Sequence, residues 1–177
     1  MTSAITNGSG DERLALVFSQ HVVRLQGLLE QAIAPTLAAQ GLTAAELDVL
    51  GALRVAGSPY QLRPKELTAR LLLTTGGLSN VLRRLDTRGL VSRVPDPADG
   101  RSHNVRLTPA GVTTAQAATA AATTALQRLL SAVPATTLED ALHRLQSVLG
   151  AVGDTSPGAP AVRHLPETHA PGSRTAD

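Results

Sequence analysis

The most constraining feature of the chain is a change of hydrophobic period near its middle. From residue 64 to residue 88 apolar side chains recur at helical spacing, first Leu67 and Leu71, then Leu78, Val81, Leu82 and Leu85. Leu90–Val94 and His103–Leu107 then read as two short strands, separated by the turn-forming run Pro95-Asp96-Pro97-Ala98-Asp99-Gly100-Arg101-Ser102. Pro64 suits the first turn of the first helix, because its missing N–H would have no partner there. Thr74-Thr75-Gly76-Gly77 reads as the turn between the two helices. The second helix, from about Leu78 to Arg88, is ended by Gly89.

The flanks are helical. Leu14, Val17, Phe18, Val22, Leu25, Leu28, Leu29, Ala32 and Ile33 recur at steps of three and four, predicting a long helix that Pro35 ends or kinks. Thr43 caps a second helix, and Glu46 completes a capping box; Leu47, Leu50 and Leu53 supply its buried face, and Gly57-Ser58-Pro59 breaks it. Thr108-Pro109 opens a fifth helix reaching about Leu130, and a last one carries Leu138, Leu142, Leu145, Val148 and Leu149. The order is α-α-α-α-β-β-α-α: mainly α with a small β-hairpin wing, the winged helix-turn-helix pattern. The expected organisation is a disordered stretch at 1–10, dimerisation helices at 11–40 and 109–152, a winged domain at 41–108 and a disordered tail at 153–177. The outer helices carry apolar faces but are separated by the whole winged domain. Within one chain they form a small satellite core, whereas across a two-fold axis they bury much more.

Composition narrows the chemistry. Phe18 and Tyr60 are the only aromatics, so the core is built from Leu, Val and Ala, which favours helices. The absence of cysteine excludes disulfides, thiolate catalysis, Cys-type zinc sites and thiol redox sensing. No apolar run reaches the ~18–20 residues that span a bilayer, and the first residues lack the apolar segment of a secretion signal. A soluble, cytoplasmic protein is expected. The net charge of +2 conceals an asymmetry: residues 54–106 hold ten basic and four acidic side chains, while the rest of the chain is net acidic. A basic middle between acidic ends suggests that only the middle faces a polyanion.

The helix after the turn presents Ser79, Asn80, Arg83, Arg84 and Asp86 opposite its apolar face. In a major groove Arg pairs bidentately with guanine and Asn with adenine. Thr74, Thr75 and the amides at the helix start can hold phosphates. An isolated Arg-Arg pair is more often an ordinary solvated surface; the hairpin that follows shifts the balance. Arg101 sits at its tip, suited to the negative potential of a minor groove, with Asp99 able to steady it.

At this point GLTAAELDVLGAL, then PKELTARLLLTTGGLSNVLRRLDTRGLVSRVPDPADGR, then VRLTPAG resemble the MarR (multiple antibiotic resistance regulator) family over roughly residues 11–150. The motifs are the T-x-G-G-L-S start of the recognition helix, the R-L-D-x-x-G-L-V exit, the D-x-R wing and the L-T-x-x-G return. The resemblance implies a homodimer on pseudo-palindromic double-stranded DNA, held by the first and last two helices. It implies repression, with release by a small phenolic or anionic effector. It places DNA contacts at Ser79, Asn80, Arg83, Arg84, Asp99 and Arg101. Asp99-Gly100-Arg101 stands where many members have Asp-Arg-Arg, so one phosphate contact is lost. A urate-responsive branch has a Trp on the first helix and an Arg where Val81 stands here; only Asp48 and Arg93 match its polar set. A pocket near His21, Arg24, Asp48 and Arg93 for a small anion is the resulting expectation, against the plainer role of surface or interface groups.

The five histidines, His21, His103, His143, His164 and His169, lack metal-binding spacing, and no cofactor is expected. No G-x-S-x-G, Walker or Rossmann signature is present, so an enzyme is not expected. The alternative function is a winged-helix protein-interaction module without a ligand response.

Overall fold

The computed structural model describes residues 8–71, 73–96 and 99–154, with the side chains of 8–10 and 99–101 not described. The expected disorder at 1–10 and 153–177 lies outside these residues except at 8–10, which open a helix, and at 153–154. The elements in chain order are α1 (Gly8–Ala39), α2 (Ala44–Val55), β1 (Gln61–Leu62), α3 (Pro64–Leu71), α4 (Thr75–Thr87), β2 (Val91–Asp96), β3 (Asp99–Leu107), α5 (Pro109–Leu129) and α6 (Ala135–Ala151). The fold is mostly helical with a small antiparallel sheet, as the change of period implies.

Local chemistry explains most boundaries. Thr43 accepts the amide of Glu46 while the Glu46 carboxylate accepts the amide of Thr43, the reciprocal capping box at the start of α2. Thr108 accepts the Gly111 amide and Pro109 occupies the first turn of α5. Pro35, expected to end or kink α1, does not end it, and the start of α4 differs from expectation. α1 runs through Pro35 to Ala39; Leu37 beyond the proline is 2% exposed, and its burial offsets the one lost helix bond. The stop is Gly41, at φ +63°, a left-handed conformation that glycine adopts without strain. α4 starts at Thr75, because Thr74 takes the Gly77 amide at 3.1 Å and acts as cap. The Thr-Thr-Gly-Gly run is thus the cap and first turn of α4.

The sheet order is β1-β3-β2, all antiparallel. β1, two residues long and absent from the sequence expectation, pairs Gln61 with Arg106 and Leu62 with Val105. β2 and β3 pair from Val91–Leu107 out to Asp96–Asp99, with an irregularity between Pro95 and Asp96.

One core joins the elements of the winged domain. Val49, Leu50 and Leu53 of α2, Leu67 of α3, Leu78, Val81, Leu82 and Leu85 of α4, and Leu90, Val91, Val105 and Leu107 around the hairpin are buried together with Ala115 and Ala118 of α5. Each buried Leu or Val contributes about 1.5–3 kcal/mol relative to an exposed position. On α2 the buried face is turned slightly from the expected one: Glu46 and Val49 are buried with Leu50 and Leu53, while Leu47 is half-buried. α5 packs on both α1 and α2. Much of α1 and α6 stays exposed, with Leu14, Val17, Phe18, Val22, Leu25, Leu28, Leu138, Leu142, Val148 and Leu149 exposed and Leu145 half-buried where α6 lies beside α1. Among the described residues no helix is long and apolar enough to cross a membrane.

Candidate nucleic-acid interface

α4 divides into two faces as its spacing requires. Leu78, Val81, Leu82 and Leu85 are buried in the core, and Ser79, Asn80, Arg83, Arg84, Asp86, Thr87 and Arg88 are exposed. The exposed residues are not equivalent. Ser79 donates to the Thr75 carbonyl at 2.9 Å. Arg83 Nη2 donates to Asn80 Oδ1 at 3.0 Å, so these two side chains form a unit within the helix. Arg84 instead turns toward α2, with Nε 3.0 Å from Glu46 Oε1. Thr74 and Thr75 stand exposed at the helix start, beside amides that carry the positive end of the helix dipole.

The wing is anchored by a pair that sequence reasoning missed. Asp96 is 5% exposed. It accepts a 2.6 Å bond from Arg63 Nε and a 3.3 Å bond from the Ser102 hydroxyl. Arg63, just before α3, also gives its amide to Glu66 at 2.7 Å. The start of α3 and the outer end of the hairpin are thereby tied together by a charge-assisted bond. A run of turn-formers around Asp96 conceals this role, and Arg63 lies too far away in sequence to betray it. Asp99 and Arg101 belong to β3 by their backbone; the contact expected between their side chains lies outside the described residues.

A cleft of about 320 Å³ opens between α3, α4 and the wing, lined among others by Lys65, Thr75, Ser79, Arg93, His103 and Asn104. Asn104 is 6% exposed, and its Oδ1 has no hydrogen-bond partner among the described residues. Such an orphan acceptor is uncommon in a protein interior. The four residues expected around a small anion are dispersed. Arg93 lines this cleft. His21, whose Nδ1 donates to the Val17 carbonyl at 2.7 Å, lines an apolar crevice of about 280 Å³ between α1 and α6. Arg24 lines an open groove along α1 with Ser19 and Gln31. Asp48 lines none of these. It keeps solvent contact on α2, yet neighbouring packing strips part of its hydration and Glu30 adds a like charge, which together raise its carboxyl above the usual carboxylate range. Among the described residues no three His, Asp or Glu side chains are grouped to hold a metal ion.

Comparison with known proteins points one way. Residues 40–102 match the MarR family. The HTH-type transcriptional regulator PecS of Dickeya dadantii is 33% identical over 88 residues, 50% of this chain and 53% of PecS. The multiple antibiotic resistance protein MarR of Salmonella typhimurium is 39% identical over 70 residues, 40% of this chain and 46% of that protein. The chain thus spans about half the length of the curated relatives it matches. In three dimensions the likeness extends further. A mutant MarR from E. coli, solved in complex with operator DNA, superposes with a TM-score of 0.63 at 28% identity, covering 83% of this chain and 99% of that one. The start of α4, its exit into the wing and the return into α5 thus lie in a winged helix-turn-helix fold like that of MarR, and residues 40–102 are similar to the MarR family.

Proposed function

We propose that this chain is a transcriptional repressor that acts in the cytoplasm as a homodimer on pseudo-palindromic double-stranded DNA. The observation that carries the proposal is the exposed face of α4, where Ser79 and the Asn80–Arg83 pair project beside a wing in the most basic part of the chain. Asn and Arg are the side chains that read adenine and guanine edges bidentately. Thr74, Thr75 and the α4 amides serve the phosphate backbone, and Arg101, with Asp99, reaches the minor groove. The MarR structure, similar over most of the chain, was solved with operator DNA, which supports the DNA-binding reading.

Pairing of two copies is supported by the apolar faces of α1 and α6, much of which stays exposed among the described residues. Contiguous apolar area of this kind marks an interface in a soluble protein. A two-fold axis through these helices sets the two α4 helices one DNA turn apart, about 34–36 Å. The boundaries follow: a winged domain over 41–108 between dimerisation segments at 11–40 and 109–152.

A small effector is the finer part of the proposal, and the cleft beside α4 is its place. Lys65 and Arg93 in the lining favour a negative group, so a small phenol or hydroxylated anion fits there. An occupant there touches Ser79, one of the side chains proposed to face DNA. A structurally similar regulator, the organohalide-sensing RdhR-CbdbA1625, was solved in a 2,4-dichlorophenol-bound form; its 14% identity at a TM-score of 0.69, over 85% of this chain and 89% of that one, establishes likeness of fold alone.

Selection from random duplexes by the purified protein tests the core of the proposal. An inverted repeat with half-site centres one helical turn apart is the expected product, bound by two copies. Absence of any enriched sequence, or binding by single copies, would remove the regulator function and leave a protein-interaction role for the winged domain.

A further inference from the structure

Two arginines one helical turn apart, Arg84 on α4 and Arg88 at its C-terminal cap, reach back to the joint between α1 and α2. Arg84 Nε lies 3.0 Å from Glu46 Oε1, and its Nη2 donates to Thr43 Oγ1 at 3.3 Å. The Glu46 side chain is only 4% exposed, and its second oxygen accepts the Thr43 amide at 2.8 Å and hydroxyl at 3.1 Å. Arg88 grips the same joint further along, giving Nη1 to the Gly41 carbonyl at 2.7 Å and Nη2 to the Gln40 carbonyl at 3.2 Å. Gly41 is the left-handed residue that ends α1. Both guanidinium groups therefore hold the short corner, residues 40–46, through which α1 passes into α2.

We infer that Arg84 and Arg88 are positioning residues, a two-point strap that fixes α4 to the α1–α2 corner and so sets the spacing of paired recognition helices. This rests on the dimeric, DNA-binding function proposed above. α1 carries the exposed apolar face through which copies pair, and α4 carries the base-facing side chains. Whatever ties the end of α1 to α4 passes the geometry of the dimer to the DNA. Apolar packing between α2 and α4 holds them together but is non-directional. A guanidinium is a rigid planar fork, so two of them at one corner also fix the rotation of α4. Arg84 cannot swing toward a base without leaving a buried carboxylate unpaired, which is strongly unfavourable. Base reading then falls to Asn80 and Arg83, which bond within their own helix.

The test uses the inverted repeat selected by the wild-type protein, with the gap between half-sites lengthened or shortened by one base pair. Each step displaces a half-site by about 3.4 Å and rotates it by about 35°. The wild-type protein is expected to lose about tenfold in affinity per step, comparable to one mismatched base pair. Arg84→Ala and Arg88→Ala are expected to flatten that penalty to within about threefold while keeping the base preference inside each half-site. Asn80→Ala is expected to do the reverse. Arg88→Ala strands only backbone carbonyls at a partly exposed corner, so it remains informative if Arg84→Ala does not fold. Variants that keep the wild-type spacing penalty overturn the strap, and an altered preference at one base in Arg84→Ala makes Arg84 a base reader.

A second measurement needs no DNA. The chain has no cysteine, so Asp86→Cys gives a single labelling site on α4. The spin-label distance between the two α4 helices of the dimer is expected to broaden when Arg88→Ala is added. An unchanged distribution overturns the strap, whereas a wild-type protein that dimerises but binds no duplex counts against the DNA-binding proposal alone.

Discussion

Replacing Gly111 by alanine tests how the wing is joined to the rest of the molecule. Gly111 lies buried in the first turn of α5, where its amide donates to the capping hydroxyl of Thr108 at 3.0 Å. That hydroxyl in turn donates to the Gly89 carbonyl at 2.6 Å, and the Thr108 amide donates to the Leu90 carbonyl at 3.1 Å. A methyl group at Gly111 would fall on the Leu90 carbonyl oxygen, with the carbonyl carbon at 2.9 Å and Leu107 Cδ2 at 3.3 Å. Backbone cannot rotate aside as a side chain can, so α5 must lift from the exit of α4. Forcing atoms into packed space costs about 1–3 kcal/mol, and loss of the Thr108–Leu90 bond adds about 0.5–1.5 kcal/mol. Alanine's better helix propensity returns at most about 1 kcal/mol. The net expectation is a loss of about 2–3 kcal/mol, read by urea unfolding at fixed protein concentration. Gly51→Ala is the control: Gly51 lies inside α2, and a methyl there meets nothing within 4 Å. It should stabilise by about 0.5–1 kcal/mol. If Gly111→Ala stabilised the protein as Gly51→Ala does, the close approach of α5 to Leu90 would be wrong.

Asp48→Asn should stabilise the folded protein at neutral pH. Desolvation and Glu30 raise the Asp48 carboxyl, so the native state holds the proton more tightly than the unfolded chain and stability falls as pH rises through the raised value. The gain from Asp48→Asn should therefore vanish once the pH drops below the ordinary carboxylate range; a gain of equal size at both pH values would contradict the assignment. Arg63→Ala should cost about 1–3 kcal/mol in urea unfolding by removing a bond to the buried Asp96 carboxylate; an unaffected midpoint would mean that the wing does not depend on this anchor. Arg101→Ala should weaken binding to all duplexes alike and lower the salt slope by about 1.8, because a dimer loses two phosphate contacts at about 0.9 each. A change confined to one base position would give Arg101 a reading role instead.

Much of the fold is legible in the residues because the signals are local. The Thr43–Glu46 capping box and the stripe Leu78, Val81, Leu82 and Leu85 lie within a few residues of one another, and helical geometry alone brings them together. β1 is too short for any period to show, and it exists because β3 offers an edge. Pro35 misleads because its local cost is outweighed by the burial of Leu37, which only tertiary packing provides. The candidate site divides in the same way. Spacing puts Ser79, Asn80, Arg83 and Arg84 on the outer face of α4, but it cannot reveal that Arg84 meets Glu46 from another helix. Nor can it reveal that Arg63 meets Asp96. The orphan Asn104 carries no sequence signal, since nothing in an alternating strand marks which polar group will lack a partner.

The central claim is that the basic face formed by α4 and the wing engages DNA phosphates. Affinity for the selected duplex, measured by fluorescence anisotropy across a series of salt concentrations, tests it most directly. A dimer neutralising about 6–10 phosphates gives a log–log slope of roughly −5 to −9. A slope near zero would contradict it, because an apolar interface responds little to salt.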